Sequence, residues 1–304
     1  MRKIDKRVIG VLLALTVLGG AHPLAVLADE MLTDVVVYDK ERGELSPGTG
    51  APSSERMVNA IRSAPPGALY AMLEYGERVE CYECMPLLEQ KLLDSDEPDV
   101  REIAAWWLRR RPFGYGRAAV AMRTAVIEED DAVRRSRAAE ALGEFMDVRG
   151  LAALSQAAME DESAQVRGSA VTALGRLNTA AGNPIIAAAM LDDDASVRFA
   201  ALSQVQRINF FEDHEAIVGR LGDDDRQVRT RAAQLTGELR VAGAEAELAE
   251  LLDDDSAAVR QSAAWALGRI GGSDAVAALR DARDAEEEGT VLDALDIALK
   301  MAAR

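Results

Sequence analysis

The chain has few of the residues from which most catalytic centres are built. Its 304 residues include 2 histidines and 2 cysteines, and aromatic residues make up 4%. His22 lies in an N-terminal leader, which leaves His214 as the one imidazole beyond it. A Ser-His-Asp or Cys-His arrangement would have to recruit that residue, and Glu212-Asp213-His214-Glu215 reads better as a surface helix start. Scarce aromatic residues beside abundant Ala and Leu argue against a strand-rich fold. There is no basic excess either: 35 Lys and Arg face 52 Asp and Glu, a net charge of −17. Phosphate backbones reward a basic footprint, so nucleic acid is not an expected partner.

The leader is short. Arg2, Lys3, Lys6 and Arg7 precede an apolar run from Val8 to Leu18, and Val26-Leu27-Ala28 stands before Asp29. This is the pattern of a secretory signal over residues 1–28, cleaved after Ala28, and it predicts a periplasmic or secreted protein. A run of eleven residues is too short to span a hydrocarbon core of ~30 Å, so no membrane span is expected after cleavage. Lipid attachment is not indicated, because no cysteine stands at the cleavage point. Removing the leader leaves 31 basic against 51 acidic residues, a charge of about −20.

What the chain does have is a recurring phrase, an acidic turn followed by Val-Arg, small residues and Leu-Gly. It appears at Asp161…Val166-Arg167…Leu174-Gly175, at Asp192…Val197-Arg198, at Asp223…Val228-Arg229…Gly237 and at Asp253…Val259-Arg260…Leu267-Gly268. These valines lie 31 apart, and a fixed period in this range means stacked supersecondary units. From each Val, small or apolar residues follow at +3, +4, +7 and +8, as in Val259, Ser262, Ala263, Ala266 and Leu267, which is one face of a helix. The preceding helix offers Ala246, Leu248, Leu251 and Leu252. Side-chain oxygens of Asp130, Ser163, Asp194, Asp225, Ser256 and Thr290 are the expected N-caps. In the unit around Val133, Arg135 falls in the arginine slot, which predicts one inserted residue and a local irregularity.

This phrase resembles the HEAT-like repeat of phycobilisome-lyase-type (E-Z type) HEAT proteins. The resemblance runs from Cys81 to Arg304, about three quarters of the chain, in six or seven copies. It implies an all-α solenoid of about seven helix pairs that holds partners on an extended surface. The motif residues are structural and assign no activity. HEAT-like hydroxylases with di-iron centres need several His-Glu pairs, and this chain offers one. Charged Asp293, Asp296 and Lys300 stand where the unit before has Gln261, Ala264 and Gly268, which predicts a capping helix with a wet outer face.

Ahead of the array, residues 29–53 read as a flexible linker with a strand-like arm at Thr33 to Tyr38, and residues 54–80 as a helical cap broken at Pro65-Pro66. Cys81 and Cys84 are expected to form a disulfide in an exported protein, within the first turn of a helix. A thiol-redox role for the pair is the alternative, although no βαβ pattern surrounds it. Two thiolates alone leave a tetrahedral metal site half empty. The Asp triplets lack the spacing of a calcium loop and are explained by capping and by pairing with the repeat arginines, so no metal or cofactor is expected.

Surface chemistry remains. The +6 column holds Trp106, Glu140, Thr172, Ser203, Gln234 and Trp265, and the +10 column holds Arg110, Glu144, Arg176, Arg207, Glu238 and Arg269. A dense patch follows Trp106, with Arg109, Arg110, Arg111, Phe113 and Tyr115 exposed and Trp107 in the core. Tryptophan beside arginine is what binding hot spots are enriched in, although such pairs also pack on each other without any partner. The expectation is an exported, non-enzymatic scaffold that binds a protein or peptide on its second, concave helices.

Overall fold

The computed structural model describes residues 51–303 together with the backbone of 36–39 and 44–47. The leader expected at 1–28, the start of the expected arm up to Val35 and the terminal Arg304 lie outside the described residues. Strand β1 (Val36–Asp39) pairs antiparallel with β2 (Glu44–Pro47), Val36 opposite Pro47 and Asp39 opposite Glu44. The first strand falls on the expected arm, whereas the second lies in the stretch expected to be linker. Its partnership has a simple cause: Val36-Val37-Tyr38 favours extended backbone, and a lone strand leaves its N–H and C=O groups unpaired.

Helices α1 (Ser54–Ser63) and α2 (Pro66–Tyr75) form the cap. Ser53 accepts the Arg56 N–H at 3.3 Å, and Pro66 opens the second helix, where its missing N–H costs nothing. Seven helix pairs follow: α3 (Cys84–Asp94) with α4 (Pro98–Leu108), α5 (Tyr115–Glu128) with α6 (Ala132–Phe145), α7 (Leu151–Glu160) with α8 (Ala164–Leu177), and α9 (Asn183–Ala189) with α10 (Ala195–Gln204). The last three are α11 (His214–Val218) with α12 (Arg226–Leu239), α13 (Glu245–Glu250) with α14 (Ala257–Ile270), and α15 (Ser273–Ala285) with α16 (Gly289–Ala302). The second helices stack directly on one another, α6 on α8, α12 on α14 and α14 on α16. The fold is an α-solenoid.

The repeat phrase builds this stack. Val259, Ala263, Ala266 and Leu267 are fully buried, as their spacing predicts, while Ser262 at the edge of the same face is half-buried. In the preceding helix Leu248, Leu251 and Leu252 are buried, but Ala246 is exposed and Ala244 takes the inward place. Ala246 stands two residues before Leu248 and so falls on the far side of the helix, whereas Ala244, four residues before it, shares its face. The Leu-Gly glycines allow close approach. A Cβ on Gly237 would stand 2.6 Å from the Ala266 Cα, and one on Gly268 2.8 Å from the Ala298 Cα.

Four of the six expected caps differ. Asp194 and Asp225 accept first-turn N–H groups as expected, while Ser163 and Ser256 occupy the cap position without a side-chain bond. Asp131, not Asp130, caps α6, and Glu288, not Thr290, precedes α16. The distance from cap to arginine is the same in Asp131 to Arg135 as in Ser163 to Arg167, so α6 carries no insertion and runs unbroken. Arg134 simply occupies the Val slot, its charge met by Glu129 at 2.9 Å and by Asp94. Met146, Asn178 and Arg240 end α6, α8 and α12 in left-handed conformation, turning the chain into the next unit.

Candidate partner-binding surface

The acidic turns are tied to the repeat arginines. Arg167 donates to both carboxylate oxygens of Asp192, each at 2.7 Å, and to the main-chain carbonyls of Asp161 and Glu162. Arg198 with Asp223, Arg229 with Asp254 and Arg260 with Glu286 repeat the arrangement, and Arg135 with Asp161 begins it. Each inner acid is held twice: the arginine before it takes the carboxylate of Asp192, and Arg198 after it takes the carbonyl at 2.8 Å. Burial opposes ionisation of Asp161, Asp192, Asp223 and Asp254. Hydrogen bonds from the arginines and from backbone N–H groups outweigh it and hold these carboxyls below their usual range.

The second helices carry the sequence-predicted tryptophans. Trp106 and Trp265 are half-buried, with Arg110 lying 4.0 Å over the first ring and Arg269 5.7 Å over the second. They are packed platforms, less open than the sequence suggested, and Trp265 leans over Gly237. Arg109, Arg176 and Arg207 come together along a groove of about 530 Å³, where Arg109 donates to the Glu144 carbonyl at 2.8 Å and Arg176 meets the Glu144 carboxylate. A second groove, of about 480 Å³, crosses α4, α6, α8 and α10. Its floor is made of small residues such as Ala164, Gly168 and Ser169, and its walls include Arg101 and Arg137. There Arg101 is neutralised by Glu140 at 3.1 Å and Arg137 by Asp96 at 2.5 Å.

The patch after Trp106 divides. Phe113 is 61% exposed, whereas Tyr115 packs edge-on against Phe145 with ring centres 5.7 Å apart. Arg111 was expected at the surface and is buried instead. Its guanidinium donates to the carbonyls of Val79 at 2.6 Å, Trp107 at 3.1 Å and Glu77, and lies 4.1 Å over the Trp107 ring. It therefore clamps the loop between α2 and α3 and is closed to a partner. Desolvation pushes its pKa down to about 10 against the pull of Glu80 and Glu77, and desolvation raises the Glu80 carboxyl against the pull of Arg111, 3.9 Å away.

A family model of HEAT repeats matches residues 151–219 and 214–300. The chain is a HEAT-like repeat protein. Among solved structures it is similar to a chain of the complex in which Kap95p binding induces the switch loops of RanGDP to adopt the GTP-bound conformation, with 15% identity and a TM-score of 0.56 over 82% of this chain and 38% of that one. It is also similar to the archaeal HEAT-like repeats protein from Thermococcus onnurineus NA1 (16% identity, TM-score 0.49, 72% of this chain and 97% of that one). The complex of CpcE and CpcF of phycocyanin lyase from Nostoc sp. PCC7120 matches at 20% identity and a TM-score of 0.39, over 72% and 94%. At these identities the likeness concerns the fold alone. No curated protein gives a significant match.

At the head of the HEAT array, Cys81 and Cys84 are joined in a disulfide with Cα atoms 5.2 Å apart. The bridge precedes α3 and is not inside its first turn, since Cys84 is the first helical residue. Both cysteines are buried, at 1% and 0% exposure. Exchange requires an attacking thiolate to reach a sulfur, and this burial withholds that access. His214 begins α11, as expected. Among the described residues no three His, Cys, Asp or Glu side chains are grouped to hold a metal ion, and no helix is long and apolar enough to cross a membrane.

One group escaped the sequence reading. Phe199, Arg226 and Arg231 line a third groove on α10, α12 and α14. The available signal was Arg231 itself, which occupies the +3 slot held by Ser169, Ala200 and Ser262 in other HEAT units.

Proposed function

We propose that this HEAT-repeat chain is an exported, non-enzymatic scaffold that holds a protein or peptide partner along the exposed face of its second helices. The observation that carries this reading is the run of grooves across those helices, floored by small residues and walled by charged ones, with a Trp-Arg platform near each end. The leader supports export by its residue pattern alone. Scarcity of histidine and the burial of the Cys81–Cys84 bridge both favour holding over chemistry.

The test recovers partners from the native envelope fraction with the full chain and measures their affinity for variants. Trp106→Ala and Trp265→Ala are expected to weaken binding by roughly 2 kcal/mol. Their cost in stability is expected to stay below the roughly 3–5 kcal/mol of emptying a core site such as Trp107. Arg110→Glu and Arg269→Glu should slow association and change its salt dependence. Unchanged affinity across all four variants, with folding intact, would move the partner off this face.

A further inference from the structure

The groove of about 780 Å³ on α10, α12 and α14 differs in charge from its neighbour toward the N-terminus. Its nine lining residues include Arg226 and Arg231 and no Asp or Glu, in a chain with 52 acidic residues against 35 basic. Arg231 stands three residues past Val228, the slot that Arg137 occupies in α6. Arg137 is neutralised by Asp96. Among the described residues the Arg231 side chain has only the neutral amide oxygen of Gln206, at 2.8 Å, while Glu238 accepts from the amide nitrogen of the same Gln206 and forms no ion pair with Arg231. Arg231 is half-buried, and desolvation lowers its pKa against the weaker pull of Glu238. Arg226 is exposed at the first position of α12, with no carboxylate at ion-pair distance among the described residues. Phe199, 39% exposed, lines the same groove.

A guanidinium held partly out of water without an anion is costly, and a ligand carboxylate would complete it. We propose that this groove binds an extended acidic peptide segment, one carboxylate of which seats on Arg231 and Arg226 while an apolar side chain lies against Phe199. The forked donors of arginine fit a carboxylate in two bonds, and the aromatic ring supplies apolar contact area. The acidic remainder of the molecule does not forbid this. Its field is screened over about 8 Å at physiological salt, so the charges in contact decide. The proposal rests on the scaffold reading and names the chemistry of its partner.

The test titrates the full chain with a fluorescein-labelled, end-capped octapeptide of Glu and Ser with one Leu, and with a counterpart carrying Gln at every Glu position, followed by anisotropy. The Glu peptide is expected to bind at least about tenfold tighter, an advantage that shrinks as salt rises. Arg226→Gln and Arg231→Gln should each weaken it by about tenfold, Arg231→Lys by less, and Arg280→Gln on α15 not at all. Arg226 is exposed, so its variant carries the test if Arg231→Gln fails to fold. Equal affinity for the two peptides, or no effect of either glutamine variant, overturns the proposal. A recovered partner that stays bound to Arg226→Gln and Arg231→Gln but is lost from Trp106→Ala overturns it too, and leaves the scaffold reading standing.

Discussion

Asp223 shows what one side chain does in this array. It accepts from Arg198 at 2.7 and 2.6 Å and from the Asp225 N–H at 3.0 Å, and its own carbonyl accepts from Arg229 at 2.7 Å. Its carboxyl is 2% exposed, so removing its charge leaves Arg198 facing a neutral group. Asp223→Asn is expected to cost roughly 3 kcal/mol at neutral pH, the low end for breaking a buried pair. The sign of the pH dependence follows from the lowered carboxyl pKa. A group whose folded pKa lies below the ordinary 3.8 contributes fully above that value and loses its contribution as pH falls through the folded one. The gap between wild type and Asp223→Asn should therefore be widest at pH 7 and narrow below 3.8, as read by urea unfolding at several pH values. A gap that stays constant with pH would show that shape, not charge, makes this rung.

At the scale of the helix, Gly237 sets two known effects against each other. Helix propensity favours alanine over glycine by roughly 0.5–1 kcal/mol. Here a Cβ would meet the Ala266 Cα at 2.6 Å and the Trp265 Cζ3 at 2.8 Å, and a backbone atom cannot swing aside as a flexible side chain can. Overpacking of this kind costs about 1–3 kcal/mol, so Gly237→Ala is expected to destabilise by about 1 kcal/mol net. Gly168→Ala is the control, because nothing lies within 4 Å of its Cβ position, and there propensity should raise the melting temperature. Opposite results would mean that the second helices are not in the contact described. The Leu-Gly phrase was legible in the sequence as a period, and with it the helix pairs and the buried stripe. The cap positions were less so, since Val133 drew the register away from Asp131, whose spacing to Arg135 is the constant feature. Likewise, the +6 column marked Trp106 and Trp265, but how far each ring is covered depends on the neighbouring helix, as at Gly237. Arg111 was misplaced for a similar reason: two of its three carbonyl partners, at Val79 and Glu77, lie in a loop more than thirty residues earlier, which no local pattern announces.

For the whole molecule, a solenoid couples each unit mainly to its neighbours, so its stability is a sum over units and interfaces. This makes the α15–α16 pair a test of what its charged surface contributes. Gly268 and Ala264 lie buried in α14, Gly268 against Ala298 of α16. On α16, Asp293 and Lys300 are exposed and Asp296 is held by Arg283 of α15. Truncation after Gly272 removes this charged surface and bares a stripe of small apolar residues to water. The remaining units keep their own interfaces and should stay helical by circular dichroism. The bared face has a surface built to receive another helix, and contiguous apolar patches beyond a few hundred Å² drive association. The truncated chain is therefore expected to self-associate as its concentration rises, by light scattering, and to melt at a lower temperature when dilute. A monomer at every concentration with the melting temperature of the full chain would mean that α15 and α16 contribute neither solubility nor interface energy, and that the charges at 293, 296 and 300 are incidental.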